Sequence, residues 1–265
     1  MTRPVIGVFD SGVGGLTVLR ELLRQVPHAD YLYFGDTARL PYGSKSVETV
    51  AKYAISAVEY LVKQGAGHVV IACNTATALA FDKIEQAVKV PTLGVIEPGA
   101  ETAAAASKSK KAVVIATEGT CSSHAYQRAL AARGIEALEK ACPLFVPLVE
   151  EGWTEHEITE QVAHIYLDEI FRGDFSAADA LVLGCTHYPL LKPLLRRVVP
   201  ERVAIVDSAE ATAKAMAVKL GASASAPGEP QVRFFATDSV EKFRRAGEKF
   251  MGRKIENVTH VDIDA

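Results

Sequence analysis

No stretch of this chain approaches the roughly 18 consecutive apolar residues of a membrane-spanning helix, so a helical membrane protein is excluded. Cysteine is scarce. Cys73, Cys121, Cys142 and Cys185 form no C-x-x-C pair, which leaves zinc-ribbon and thioredoxin-like readings without support. Positive charge is not in surplus either. The 29 Lys+Arg against 32 Asp+Glu give a net charge of −3, where a nucleic-acid binder would carry a basic excess. The one basic cluster, Lys108 to Lys111, reads as a solvated loop. Apolar residues make up 49% and charged residues 23%, which leaves no room for extended disorder. A signal peptide is not expected, because the chain passes from Met1 almost at once into the strand-like Val5-Ile6-Gly7-Val8-Phe9. The expected location is the cytoplasm, with reduced cysteines.

What is present is an alternation. The 265 residues suit one large or two small domains. Short apolar runs read as strands at Val5–Phe9, Tyr31–Phe34, His68–Ala72, Thr92–Ile96, Ala112–Ala116, Leu144–Val146, Ala180–Gly184 and Val203–Val206, and the tail carries a further apolar run at Val232–Ala236 that is expected to pack back on the first half. Helical spacing separates many of them, as in Leu16, Leu19, Leu23 and Val26, or Val47, Val50, Ala54, Val58 and Leu61. Strands alternating with helices, and apolar almost throughout, predict an α/β fold with mostly parallel sheets covered on both faces. The pattern also repeats at an offset of about 110 residues: Val69-Val70-Ile71-Ala72-Cys73-Asn74-Thr75 resembles Leu181-Val182-Leu183-Gly184-Cys185-Thr186-His187, and Ile96-Glu97 resembles Val206-Asp207. The expectation is two similar α/β domains related by a pseudo-twofold, with the active site in the cleft between them. Residues 1–96 plus 208–265 would form the first and 97–207 the second.

The repeat gives weight to its cysteines. Cys73 and Cys185 each follow a buried strand and precede a helix, where ligands bind in open α/β sheets. A lone free cysteine is most often a small buried hydrophobe. Two at equivalent points of a duplicated fold would stand on opposite walls of one cleft. Such a pair of acid/base groups can remove a proton from one face of a carbon and return one to the other, inverting a stereocentre without a redox cofactor. Asp10-Ser11-Gly12-Val13-Gly14-Gly15-Leu16-Thr17 is a glycine-rich strand-to-helix turn, but Thr17 stands where a dinucleotide fingerprint needs its third glycine. Its backbone N–H groups suit a carboxylate instead. Tyr42 and Gly43 lie in a turn, and Thr117 and Thr120 mirror the Asp10 loop in the second half. His187 is the histidine best placed to pair with a carboxylate, Glu150 is in reach of the same cleft, and Cys121 and Cys142 read as packing. His156-Glu157 starts like a zinc motif but lacks the second histidine, so no metal is expected.

Together, Asp10-Ser11-Gly12-Val13-Gly14-Gly15, Pro41-Tyr42-Gly43, Ala72-Cys73-Asn74-Thr75-Ala76 and Gly184-Cys185-Thr186-His187-Tyr188-Pro189 resemble the bacterial glutamate racemases of the cofactor-independent aspartate/glutamate racemase superfamily. The resemblance implies interconversion of L-glutamate and D-glutamate by two thiols, without cofactor, to supply D-glutamate for peptidoglycan, cell-wall biogenesis and cell shape. It implies that Cys73 takes the α-proton of D-glutamate and Cys185 that of L-glutamate. Asp10 would assist the first, and His187 with Glu150 the second. Asp10, Ser11, Tyr42, Gly43, Asn74, Thr75, Thr186 and His187 would contact substrate, with Thr117 and Thr120 added from the second half. A homodimer is the default expectation, with no nucleic-acid or membrane partner. No activation by a cell-wall precursor is expected, since the chain lacks the N-terminal extension tied to it. The competing readings are an aspartate or hydantoin racemase, a non-catalytic two-lobed amino-acid-binding protein, and a redox switch through Cys73 and Cys185.

Overall fold

The computed structural model describes residues 3–221 and 228–263. Along the chain come β1 (Val5–Asp10), α1 (Leu16–Gln25), β2 (Asp30–Gly35), α2 (Val47–Lys63), β3 (His68–Ile71), α3 (Asn74–Ala87), β4 (Thr92–Gly94) and α4 (Ile96–Ala106). Then follow β5 (Lys111–Ala116), α5 (Glu118–Ser122), α6 (Ala125–Ala131), β6 (Glu136–Ala141), α7 (Phe145–Glu150), α8 (Glu157–Arg172), β7 (Ala180–Gly184), α9 (Lys192–Val198) and β8 (Ala204–Asp207). The chain closes with α10 (Ser208–Leu220), β9 (Val232–Ala236), α11 (Val240–Met251) and β10 (Val258–His260).

The strands form two sheets, ordered β10-β9-β2-β1-β3-β4 and β6-β5-β7-β8. Every strand pairing is parallel. The series β2-β1-β3-β4 and β6-β5-β7-β8 have the same connectivity, so the sequence repeat is a repeat of architecture. Register then sets what shares an edge. Phe9 pairs with Ile71 and Asp10 with Gly35, which brings Asp10, Asp36 and Cys73 to the carboxyl edge of the first sheet. Ala116 pairs with Gly184, which brings Thr117 and Cys185 to the same edge of the second.

Two sequence readings are corrected. Leu144–Val146 is no strand; Phe145–Glu150 is a short helix, and the strand of that repeat lies earlier, at Glu136–Ala141. That strand pairs on one side only and half of its residues are charged (Glu-Ala-Leu-Glu-Lys-Ala), so it lacks the continuous apolar signal of a central strand. The run Thr92–Ile96 stops being strand at Gly94, and Ile96 opens α4. The terminal strand β10 carried no signal in the sequence. One core cluster spans both sheets, from Ile6 and Leu19 to Val113, Leu183 and Phe250. Helix α10 lies at this seam, packed on both α1 and α4.

Candidate active site

Cys73 is the N-cap of α3, where its Sγ accepts the Ala76 N–H at 3.4 Å. Cap preference alone would select Ser, Thr, Asp or Asn, and a sulfur is a weak substitute. The thiol donates to Ser11 Oγ at 3.5 Å. Burial, reinforced by the nearby Asp10 charge, pushes the Cys73 thiol up to about 12, so it stays protonated at neutral pH. Asp10 is fully buried; its Oδ2 accepts the Gly12 N–H at 3.0 Å. Its Oδ1 has no hydrogen-bond partner among the described residues. Burial raises the Asp10 carboxyl, against the pull of the Gly15 N–H and the His187 charge.

The second wall has a different companion. His187 Nδ1 lies 3.9 Å from Cys185 Sγ, and its Nε2 lies 3.0 Å from Glu150 Oε1 on α7. Burial would push the imidazole down, but the Cys185 sulfur and the Glu150 carboxylate outweigh it and hold His187 up at about 10. The Phe250 ring meets the imidazole edge-on at 5.2 Å, fixing its plane. Thr17, the residue that broke the glycine fingerprint, donates its hydroxyl to Gly14 O at 2.9 Å and Thr186 O at 3.0 Å. It ties the first loop to the residue after Cys185.

Both cysteines line one cavity of about 400 Å3. Ser11, Tyr42, Gly43, Asn74, Thr75, Thr117, Thr186, His187 and Glu150 line it too. Asp10 and Thr120 do not; they stand behind the wall, fully buried. Thr120 Oγ1 lies 3.0 Å from Thr117 Oγ1 and 3.4 Å from Thr75 Oγ1, so it orients the two threonines at the lining. Thr75 and Thr117, one after each sheet, lie 2.9 Å apart. Leu40, Pro143, Val146 and Pro147 make an apolar side of the cavity that sequence reasoning did not mark.

Also unmarked was Asp36. Fully buried, it receives the Tyr42 hydroxyl at 2.6 Å, Arg39 Nη1 at 2.9 Å and the Thr237 hydroxyl at 2.8 Å. It anchors the Tyr42 turn. Its signal was available, since it follows β2 just as the Asp10 loop follows β1. Cys121 and Cys142 are absent from the cavity lining, all four cysteines are free, and His156 caps α8 by accepting the Ile158 N–H at 3.1 Å.

Close packing explains Gly14. A Cβ there would sit 2.3 Å from Thr186 Oγ1 and 2.6 Å from the His187 ring. Gly14→Ala is therefore expected to displace Thr186 and His187 and to lower turnover about 10²-fold, since small misplacements near the chemistry cost that much. Steady-state kinetics beside a thermal melt will check it; turnover within twofold of the parent would refute the packing argument.

Two thiols line one cavity, each near a different titratable side chain, which suits proton exchange on opposite faces of one carbon. The model of the Asp/Glu/hydantoin racemase family matches residues 6–216. The chain belongs to that family. A glutamate racemase of Koribacter versatilis is 61% identical, with 98% of each chain covered. Among solved structures, the glutamate racemase isoform RacE1 of Bacillus anthracis superposes with a TM-score of 0.92 at 37% identity, covering 99% of this chain and 98% of that one. The Francisella tularensis glutamate racemase, solved in complex with D-glutamate, superposes with a TM-score of 0.89 at 35% identity, covering 99% and 98%. Like these relatives, this member of the racemase family is built on two parallel sheets flanked by helices.

Proposed function

We propose that this chain interconverts L-glutamate and D-glutamate by proton transfer between two thiols, without a cofactor. The observation that carries the reading is that Cys73 and Cys185, at equivalent strand ends of a duplicated fold, line the same cavity. The names of the relatives, at up to 61% identity over nearly the whole chain, supply the substrate.

In the L-to-D direction the Cys185 sulfur takes the α-proton, forming S–H as the C–H bond breaks. The Cys73 thiol then delivers its proton to the opposite face. The reverse direction exchanges the roles. Cys73 is buried and protonated, which suits it as the donor for L-glutamate. Glu150 helps keep the His187 imidazole charged beside Cys185, and the Asp10 carboxylate bears on the Cys73 thiol from behind the wall. A carbanion next to a carboxylate is the difficult species. Backbone N–H groups at the start of α3 and at Thr186–His187 can receive the α-carboxylate as its charge grows, and the apolar side of the cavity limits water.

Residues 1–96 with 208–265, and 97–207, act as the two lobes that close on the substrate; 1–2, 222–227 and 264–265 fall outside the described residues. A cytoplasmic homodimer supplying D-glutamate for peptidoglycan completes the proposal.

The test is incubation with L-glutamate in D₂O without added cofactor, following circular dichroism and α-deuterium together. Loss of optical activity with deuterium in the product enantiomer is expected. No change in either would defeat the reading.

A further inference from the structure

Tyr126 belongs to α6, beside the second sheet, yet its hydroxyl donates to Oδ1 of Asn74 at 2.7 Å, on the first turn of α3 and next to Cys73. The side chain is fully buried. Its ring lies where two glycines leave room. A Cβ on Gly184 would be 3.1 Å from Tyr126 Cε2, and one on Gly99 would be 3.3 Å from Cε1 and Oη. Gly184 immediately precedes Cys185, so one side chain braces the backbone entering one cysteine and grips the residue following the other.

The other end of the Asn74 amide is unused. Asn74 lines the cavity, and its Nδ2 is buried without an acceptor among the described residues. A carboxamide has a donor end and an acceptor end that a half-turn exchanges. By occupying Oδ1, the Tyr126 hydroxyl keeps the donor end free for an incoming acceptor. We propose that Tyr126 is a positioning residue, which holds the Asn74 amide with its N–H₂ committed to a carboxylate oxygen of the bound amino acid. This rests on the racemase reading above, but it adds a residue remote in sequence from every motif that suggested that reading.

The test is a double-mutant cycle. Tyr126→Phe keeps the ring in its glycine notch and removes only the hydroxyl. Turnover of L-glutamate, calorimetric affinity for D-glutamate and the thermal midpoint are measured for the parent, Tyr126→Phe, Asn74→Ala and the double variant. Tyr126→Phe is expected to lower kcat/KM and weaken D-glutamate binding by about tenfold, the size of one lost hydrogen bond to a charged group, and to lower the melt by only a few degrees, because the buried Asn74 Oδ1 loses its donor. In the Asn74→Ala background the same substitution is expected to cost nothing further, because the two residues act as one unit. A Tyr126→Phe variant equal to the parent, or an equal loss with and without Asn74, overturns the proposal and leaves the racemase reading standing. A parent that neither binds nor converts glutamate overturns both.

Discussion

Cys73→Ser and Cys185→Ser are each expected to lower racemisation by at least about 10³-fold while leaving the chain folded. An alcohol is a far weaker acid than a thiol, and loss of a positioned acid or base typically costs about 10² to 10⁴ in rate. Here each sulfur must act once in every turnover, so neither loss can be covered by the other. The stability expectation runs the opposite way. Cys73 caps α3, and serine is a better cap than cysteine, so Cys73→Ser should melt no lower than the parent. Lost turnover with an unchanged or raised melting temperature would separate chemistry from folding. Either variant turning over within tenfold of the parent would rule out the two-thiol mechanism. A binding protein of the same fold would instead keep its affinity in both variants.

The second large effect is on the other wall. His187→Asn is expected to cost about 10² to 10⁴ in turnover. Glu150→Gln should act mainly through pH. The Cys185 sulfur and the Glu150 carboxylate hold His187 at about 10, against an ordinary 6.5. If the charged imidazole assists Cys185, activity falls as pH rises through that value. Removing the Glu150 charge removes one of the raising influences, so the alkaline limb of the kcat/KM profile should move to lower pH. The same sign holds for stability. A raised histidine stabilises the fold fully below 6.5, and that contribution is lost as pH rises towards about 10. The loss should be smaller in Glu150→Gln. An unmoved alkaline limb in Glu150→Gln would show that the pair does not govern the reaction. A racemase interconverts mirror images of equal free energy, so kcat/KM must fall equally in both directions in any variant.

Local chemistry was readable where the signal was strong. Continuous apolar runs marked β1, β3, β5 and β7, because strands covered on both faces have no polar side. Leu144-Phe145-Val146 misled because three apolar residues fit a buried helix as well as a strand. Strand β6 was hidden because three of its six residues are charged, which an edge position tolerates. The position of Asp36 after β2 was legible, but its contact with Thr237 was not, because the two are distant in sequence.

The order of residues was enough to establish that strands alternate with helices, that the pattern repeats, and that a cysteine ends a strand in each repeat. The alternation and the strand-ending cysteines depend on residues close in the chain, and the repeat needs only a comparison of the chain with itself. Three-dimensional packing was needed to establish that Thr75 meets Thr117, that Thr17 reaches Thr186, that Tyr126 holds Asn74 and that Glu150 pairs with His187. It also seated β9 beside β2 and α10 against both α1 and α4. Periodicity states that a helix has an apolar face but not which face receives it. Hydrogen bonds across the cleft form only after packing has brought the two sheets together.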